Sequence, residues 1–212
     1  MMSIDVAKKL ASVINMDKAT YFEDNTLGAI HKDTVYLTVV DKDQMAVSMI
    51  YSIFHSFGSG LASKKYGVNF QNRGAGFTLE KGHPNEVSGA KRPMHTIIPA
   101  ILNYKDQLTI PFGVMGGAYQ PNGHMRFMSN FVDFNMNIQE AIDGPRSFFE
   151  NGNLMLERGY DKKVRAGLLD MGHNILTPTS PIGGGQAIKI DWKQGFLEGG
   201  SDPRKDGCAI GY

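Results

Sequence analysis

Apolar residues recur along this chain with two different periods. Val6, Leu10, Val13 and Ile14 lie at helical spacing, which predicts an amphipathic helix over residues 4–15. The polar stretch Glu23–Gly28 reads as an exposed connector. The period then drops to two. Thr34–Val40 is rich in β-branched and aromatic residues, Asp41–Gln44 reads as a turn, and Ala46–Tyr51 alternates apolar with small or polar positions. This is a hairpin. With a loop of two to four residues, Thr34 falls opposite a residue at or next to Ser52. Opposed residues in an antiparallel pair have Cβ atoms about 5 Å apart, so the pattern brings two hydroxyls together at the hairpin's open end.

Phe57-Gly58-Ser59-Gly60 reads as a flexible turn and residues 71–93 as a long polar loop. Strands are expected over Thr96–Leu102 and Leu108–Val114, the second running into Met115-Gly116-Gly117. Residues 124–135 carry a Met/Phe/Val face and read as a helix. Asn137 and Glu140 form a capping-box pattern for a short helix ended by Gly144. A further helix is expected over Asp161–Met171, with strands near 153–157, 186–191 and 195–198. This order predicts a layered α+β fold with antiparallel sheets.

Composition narrows the function. A net charge of +1 gives no electrostatic footprint for nucleic acid or an acidic membrane surface. No run approaches the ~18 apolar residues of a transmembrane helix. The first residues lack the charged and apolar regions of a signal peptide, which favours a cytoplasmic location for this chain. One cysteine, Cys208, excludes a disulfide framework within the chain and reads as a bland thiol. His31, His55, His83, His124 and His173 show no metal-ligand spacing, so no metal is expected. Gly183-Gly184-Gly185-Gln186 lacks the Lys-Ser/Thr of a phosphate loop and reads as a turn into a strand.

The segment Asp33-Thr34-Val35-Tyr36-Leu37-Thr38-Val39-Val40-Asp41 resembles the processing site of the γ-glutamyltranspeptidase family. The resemblance continues in order through Ala46-Val47-Ser48, Phe57–Gly60, Lys91-Arg92-Pro93, Gly116-Gly117 and Ser201-Asp202-Pro203-Arg204 to Gly211-Tyr212. It implies an α+β N-terminal-nucleophile hydrolase fold, an αββα sandwich of which this chain is the C-terminal half. It implies self-cleavage between Asp33 and Thr34, so that residues 1–33 are the tail of a large subunit and 34–212 the small, catalytic subunit. Thr34 would be the nucleophile, Ser52 the hydroxyl that hydrogen-bonds it, and Gly116 and Gly117 the oxyanion donors. No cofactor is implied. The chemistry explains the residue types: a threonine hydroxyl needs a base, and the α-amine freed by the cut, with a reference pKa of about 7.7–8.0, can serve.

Departures from the family pattern bear on substrate. The positions that hold the γ-glutamyl α-amino group in transpeptidases match Phe54, Arg73 and Gly76 here, and those that hold its α-carboxylate match His95 and Thr96. A cation at Arg73 disfavours an ammonium group and suits a carboxylate. The motifs Gln71–Phe77 and Arg92–Thr96 resemble the oxamate amidohydrolase and acylase-like branch, which implies a small acidic amide as substrate. Family precursors carry a large subunit ahead of the threonine. A partner half, as a separate chain or a missing N-terminal segment, is therefore expected, with an apolar surface left exposed where it packs. Asp202 and Arg204 read as a structural ion pair. Two rival readings are a catalytically silent fragment or structural subunit of the family, and an acylase acting on β-lactam side chains.

Overall fold

The computed structural model describes residues 3–21 and 32–211, with side chains from Thr34 onward in the second stretch. The connector Glu23–Gly28 and His31 lie outside the described residues. The chain divides into two compact units, Met1–Gly28 with Ser147–Ser180, and Ala29–Arg146 with Pro181–Tyr212. The elements in chain order are α1 (Ile4–Ala11), β1 (Lys32–Val40), β2 (Ala46–His55), β3 (Ala100–Tyr104), β4 (Gln107–Met115), α2 (Gln120–Val132), α3 (Ile138–Asp143), β5 (Ser147–Glu150), β6 (Asn153–Leu156), α4 (Lys162–Asp170), β7 (Ile175–Leu176), β8 (Gly184–Asp191) and β9 (Phe196–Ser201).

The smaller unit holds α1, α4 and a three-stranded sheet in the order β5-β6-β7. Helix α1 is shorter than expected. Ser12 caps it, and the Asn15 side chain then accepts from the backbone N–H groups of Asp17 and Lys18, turning the chain away. Strands β5 and β7, of four and two residues, are too short to carry a periodic signal and were not anticipated.

In the larger unit β1 and β2 pair antiparallel, and β3-β4-β8-β9 form a second antiparallel sheet. Strand β4 explains why the layers stack. It is buried on both faces from Ile110 to Met115. Phe112 points to the helices and stacks on Phe127 of α2 at 4.8 Å between ring centroids. Ile110, Phe112, Phe127, Ile138, Ala141, Ile142 and Ala187 make one core between this sheet and α2 and α3. The alternate residue, Gly113, faces the hairpin. The Tyr36 ring of β1 lies so close that a Cβ at position 113 would meet it at 2.3 Å. Tyr36 is buried, its hydroxyl hydrogen-bonds Ser48 Oγ at 2.8 Å, and burial pushes the phenol pKa up. Helix layer, sheet and hairpin are thus three successive layers, and the fold is α+β.

The hairpin's outer face is apolar and uncovered. Val35, Leu37 and Val39 pair across the strands with Tyr51, Met49 and Val47, and all six are 41–57% exposed. The capping box at α3 is present as the sequence implies: Glu140 N–H donates to Asn137 Oδ1 at 2.9 Å and Asn137 N–H to Glu140 Oε2 at 3.0 Å. Other boundaries differ from expectation as well, β2 running on to His55. Helix α2 begins at Gln120, because Pro121 suits a helix's first turn. Strand β3 begins at Ala100 rather than Thr96.

The close seat of Tyr36 on Gly113 yields a stability prediction. Gly113→Ala overpacks the interface between hairpin and sheet and should cost about 1–3 kcal/mol. A fall in the urea unfolding midpoint reads this out, and an unchanged midpoint would contradict the packing.

Candidate active site

Strand register sets the centre of the site. Thr34 pairs with Ser52, and the ladder slips between Asp33 and Thr34, where Asp33 sits opposite Phe54. A bulge of this kind re-aims side chains and is common beside active sites. Thr34 Oγ1 donates to Ser52 Oγ at 2.9 Å, and Phe54 N–H donates to the same oxygen at 3.0 Å. Ser52 therefore pulls on the threonine proton while a backbone amide holds it in place. Both hydroxyl residues share the inner parity of Tyr36 and Ser48, so they face the second sheet rather than the exposed outer surface.

Beyond Ser52, β2 is tied to the 3-10 turn Arg73–Gly76. Asn72 N–H donates to Ile53 O at 3.1 Å, His55 N–H donates to Asn72 Oδ1 at 3.0 Å, and Asn72 Nδ2 donates to His55 Nδ1 at 3.0 Å. The last bond makes Nδ1 an acceptor and leaves the proton of neutral His55 on Nε2. Phe54 adopts φ +75°, a conformation that costs a non-glycine residue energy. Its ring stacks on His55 at 4.4 Å and lies 4.8 Å below the Arg73 guanidinium. Arg73 is 7% exposed and its Nη1 is buried without a hydrogen-bond partner. Burial lowers its pKa from the usual arginine value. A buried guanidinium held on one face by an aromatic ring and unpaired at one nitrogen is suited to an anion.

Gly76 brings the next segment alongside. A Cβ there would lie 3.6 Å from Pro93, 3.8 Å from Met94 O and 4.0 Å from the Phe54 ring. His95, exposed, donates through Nδ1 to Pro93 O at 2.9 Å, and Thr96 follows it, half-buried. Phe54, Arg73, Gly76 and the start of the His95-Thr96 segment thus belong to one neighbourhood at the end of β2.

Gly116 and Gly117 end β4 with φ +140° and +57°. A Cβ at Gly116 would come within 2.9 Å of Gly183 Cα, so no larger residue fits. Tyr36 rests on Gly113; Thr34 lies two residues along β1 from that contact, about 7 Å of extended chain, and Gly116 follows the end of β4, three residues beyond Gly113. Behind the glycine turn, Arg146 donates through Nη1 to Ile182 O at 2.8 Å and through Nη2 to Asp202 Oδ2. Asp202 is fully buried. It also accepts from Gly185 N–H at 2.7 Å and, through Oδ1, from Arg204 Nη1 at 3.2 Å. Asp202 and Arg204 do form the expected ion pair. Arg146, 56 residues away in sequence, completes it, and local spacing could not have found it.

Among the described residues, no three His, Cys, Asp or Glu side chains are placed to hold a metal, and no helix is long and apolar enough to cross a membrane. Cys208 is exposed.

Comparison with known proteins places the chain. It is 36% identical over 214 residues to the glutathione hydrolase-like YwrD proenzyme of Bacillus subtilis, covering 97% of this chain and 40% of that protein. It is 35% identical over 188 residues to the oxamate amidohydrolase proenzyme of Klebsiella pneumoniae, covering 85% and 36% respectively. The fold superposes on a cephalosporin acylase from Bacillus halodurans with a TM-score of 0.87 at 36% identity, over 99% of this chain and 39% of that one. The chain therefore spans well under half the length of these relatives.

The buried ion-pair cluster makes its own prediction. Asp202→Ala takes the counter-ion from two arginines and should cost about 3–5 kcal/mol. A thermal unfolding midpoint lowered by many degrees checks it, and one within a degree of the unaltered protein would refute it. The Gamma-glutamyltranspeptidase family model matches residues 1–212, and with the N-terminal-nucleophile hydrolase fold seen in its structural neighbours this chain belongs to that family.

Proposed function

We propose that this chain is the catalytic part of a proenzyme that cuts itself between Asp33 and Thr34 and then hydrolyses a small acidic amide through an acyl-Thr34 intermediate. The observation that carries the reading is the hydrogen bond from Thr34 Oγ1 to Ser52 Oγ at 2.9 Å, at a bulge on the bond to be cut. In the first step Thr34 Oγ1 attacks the carbonyl carbon of Asp33. The acyl group moves from nitrogen to oxygen, and water hydrolyses the ester to free the Asp33 carboxylate and the Thr34 amine. In turnover that amine takes the hydroxyl proton as Oγ1 attacks the substrate amide, then passes it to the departing nitrogen. Water releases the acid product. Backbone N–H groups of Gly116 and Gly117 meet the developing oxyanion, a contribution worth about 3 kcal/mol per donor.

Arg73 supports the acidic substrate. A buried cation with an unpartnered nitrogen is costly without an anion, and a substrate carboxylate supplies one. Phe54 steadies its guanidinium face, and His95 and Thr96 are assigned to the substrate by their match to the family's carboxylate-binding positions. Two relatives bear names that fit an amide-cleaving site, an oxamate amidohydrolase and a cephalosporin acylase, and the first shares the small acidic substrate proposed here. The division at residue 33 into large-subunit tail and small subunit is part of the same proposal. So is the partner half, which would cover the apolar outer face of the hairpin.

Replacement tests this in the complete protein. Thr34→Ala should abolish amide turnover while Thr34→Ser retains part of it, and undiminished turnover by the alanine variant would end the proposal. Oxamate should be hydrolysed in preference to γ-glutamyl-p-nitroanilide. Arg73→Leu should raise KM for oxamate about 10- to 100-fold, the equivalent of one or two charge-assisted hydrogen bonds. Efficient γ-glutamyl transfer with no oxamate turnover would overturn the substrate assignment.

A further inference from the structure

The segment 93–99 poses a structural question. Strand β4 runs to Met115, but its pairing with β3 stops at Ala100 opposite Phe112. Continued along the same register, Ile98 and Thr96 would pair with Val114 and Gly116. They do not: residues 91–99 have no regular secondary structure. Among the described residues, the hydrogen bonds of 93–96 go to side chains. Met94 N–H donates to Asn85 Oδ1 at 2.9 Å, Pro93 O accepts from His95, and Thr96 O accepts from the side chain of Gln120.

Gln120 stands between the strip and β4. It opens α2 and is 1% exposed. Its amide faces two carbonyl oxygens, Thr96 O at 2.6 Å and Val114 O at 3.2 Å. Carbonyls only accept, so the amide is oriented with its NH2 toward both. One side-chain nitrogen thus takes the place of the missing ladder bonds and bridges the strip to β4. The helix is seated closely enough to hold it there. A Cβ at Gly123 would strike Val114 Cγ1 at 2.5 Å, and one turn after Gln120 the buried His124 ring packs on Phe112 at 5.2 Å while its Nδ1 donates to Gln120 O at 2.8 Å.

We propose that Gln120 is a positioning residue that couples the substrate segment His95-Thr96 to the glycine turn Gly116-Gly117. Its two bonds end one residue from His95 and two from Gly116. This tie sets the width between the group that receives the substrate and the donors that receive the oxyanion. Asn85 is the companion tie on the far side of the strip. Its Nδ2 donates to Gly76 O while its Oδ1 accepts from Met94, which closes the intervening loop onto the Arg73 turn. The roles of His95, Thr96 and the glycines come from the proposed function, and the inference rests on that reading.

The two ties predict different kinetic signatures in the complete protein with oxamate as substrate. Gln120→Met keeps the size of the side chain and removes both donors. It should raise KM about tenfold and lower kcat about tenfold, because substrate and oxyanion groups both shift. Asn85→Ala loosens the strip from the Arg73 turn without touching the glycine turn, and should raise KM with kcat unchanged. Should Gln120→Met fail to fold, Gln120→Asn, whose amide is one methylene short, should show the same double effect at reduced size. A purely structural Gln120 would lower the unfolding temperature and leave KM and kcat within twofold, and that result overturns the inference. A crystal structure of Gln120→Met supplies a readout independent of turnover: Thr96 should move relative to Val114. If both carbonyls stay in place the inference fails, whatever the kinetics. If the unaltered protein hydrolyses no amide while the variant's strip moves, the functional reading fails and the tie stands.

Discussion

A hydrogen bond between two hydroxyls on neighbouring strands depends on register, and a slip of one residue would turn every side chain of the strand to the opposite face. In this chain the register is pinned from within. Tyr36 lies flat on Gly113, its hydroxyl bonds Ser48, and Ser48 Oγ reaches Phe112 O at 3.4 Å. These contacts fix which face of the hairpin meets the second sheet. Thr34 and Ser52 share that face, so their hydroxyls meet on the inside of the sandwich. The proposed nucleophile is placed by the packing of a tyrosine two residues away.

The same layering explains the exposed outer face of the hairpin. Strand β4 is buried on both sides because a helix layer covers one face and the hairpin the other. The hairpin has only its inner face covered. A four-layer αββα sandwich needs another layer over Val35, Leu37, Val39, Val47, Met49 and Tyr51. The chain spans 40% and 36% of the two curated relatives, and the proposed partner half would supply that layer.

Much of the fold was legible in the residues. The hairpin from Thr34 to Tyr51 showed itself by a β-branched and aromatic run, a polar turn and an alternating return strand, and its register, to within a residue, by loop length. The capping box at Asn137 and Glu140 marked α3 directly. The failures are informative. Thr96, Ile97 and Ile98 are strand-forming residues, but Pro99 brings no N–H to a ladder, and Gln120 from α2 reaches Thr96 O and Val114 O; nothing local in the sequence marks Gln120 as a wedge. Strands β5 and β7 are shorter than the window in which a period can be counted. At the site, Thr34, Ser52 and the paired glycines were nominated by motif order. The Arg146–Asp202 pair, the Asn72–His55 clamp and the stacking of Phe54 on Arg73 were not, because each joins residues whose proximity exists only after folding.

The account stands on one peptide bond. Intact mass and N-terminal sequencing of the complete protein, matured with its partner half, address it directly. The account predicts a catalytic chain that begins at Thr34 in the active protein and an uncut precursor when Thr34 is replaced by alanine. Active protein in which the bond between Asp33 and Thr34 remains whole would contradict it.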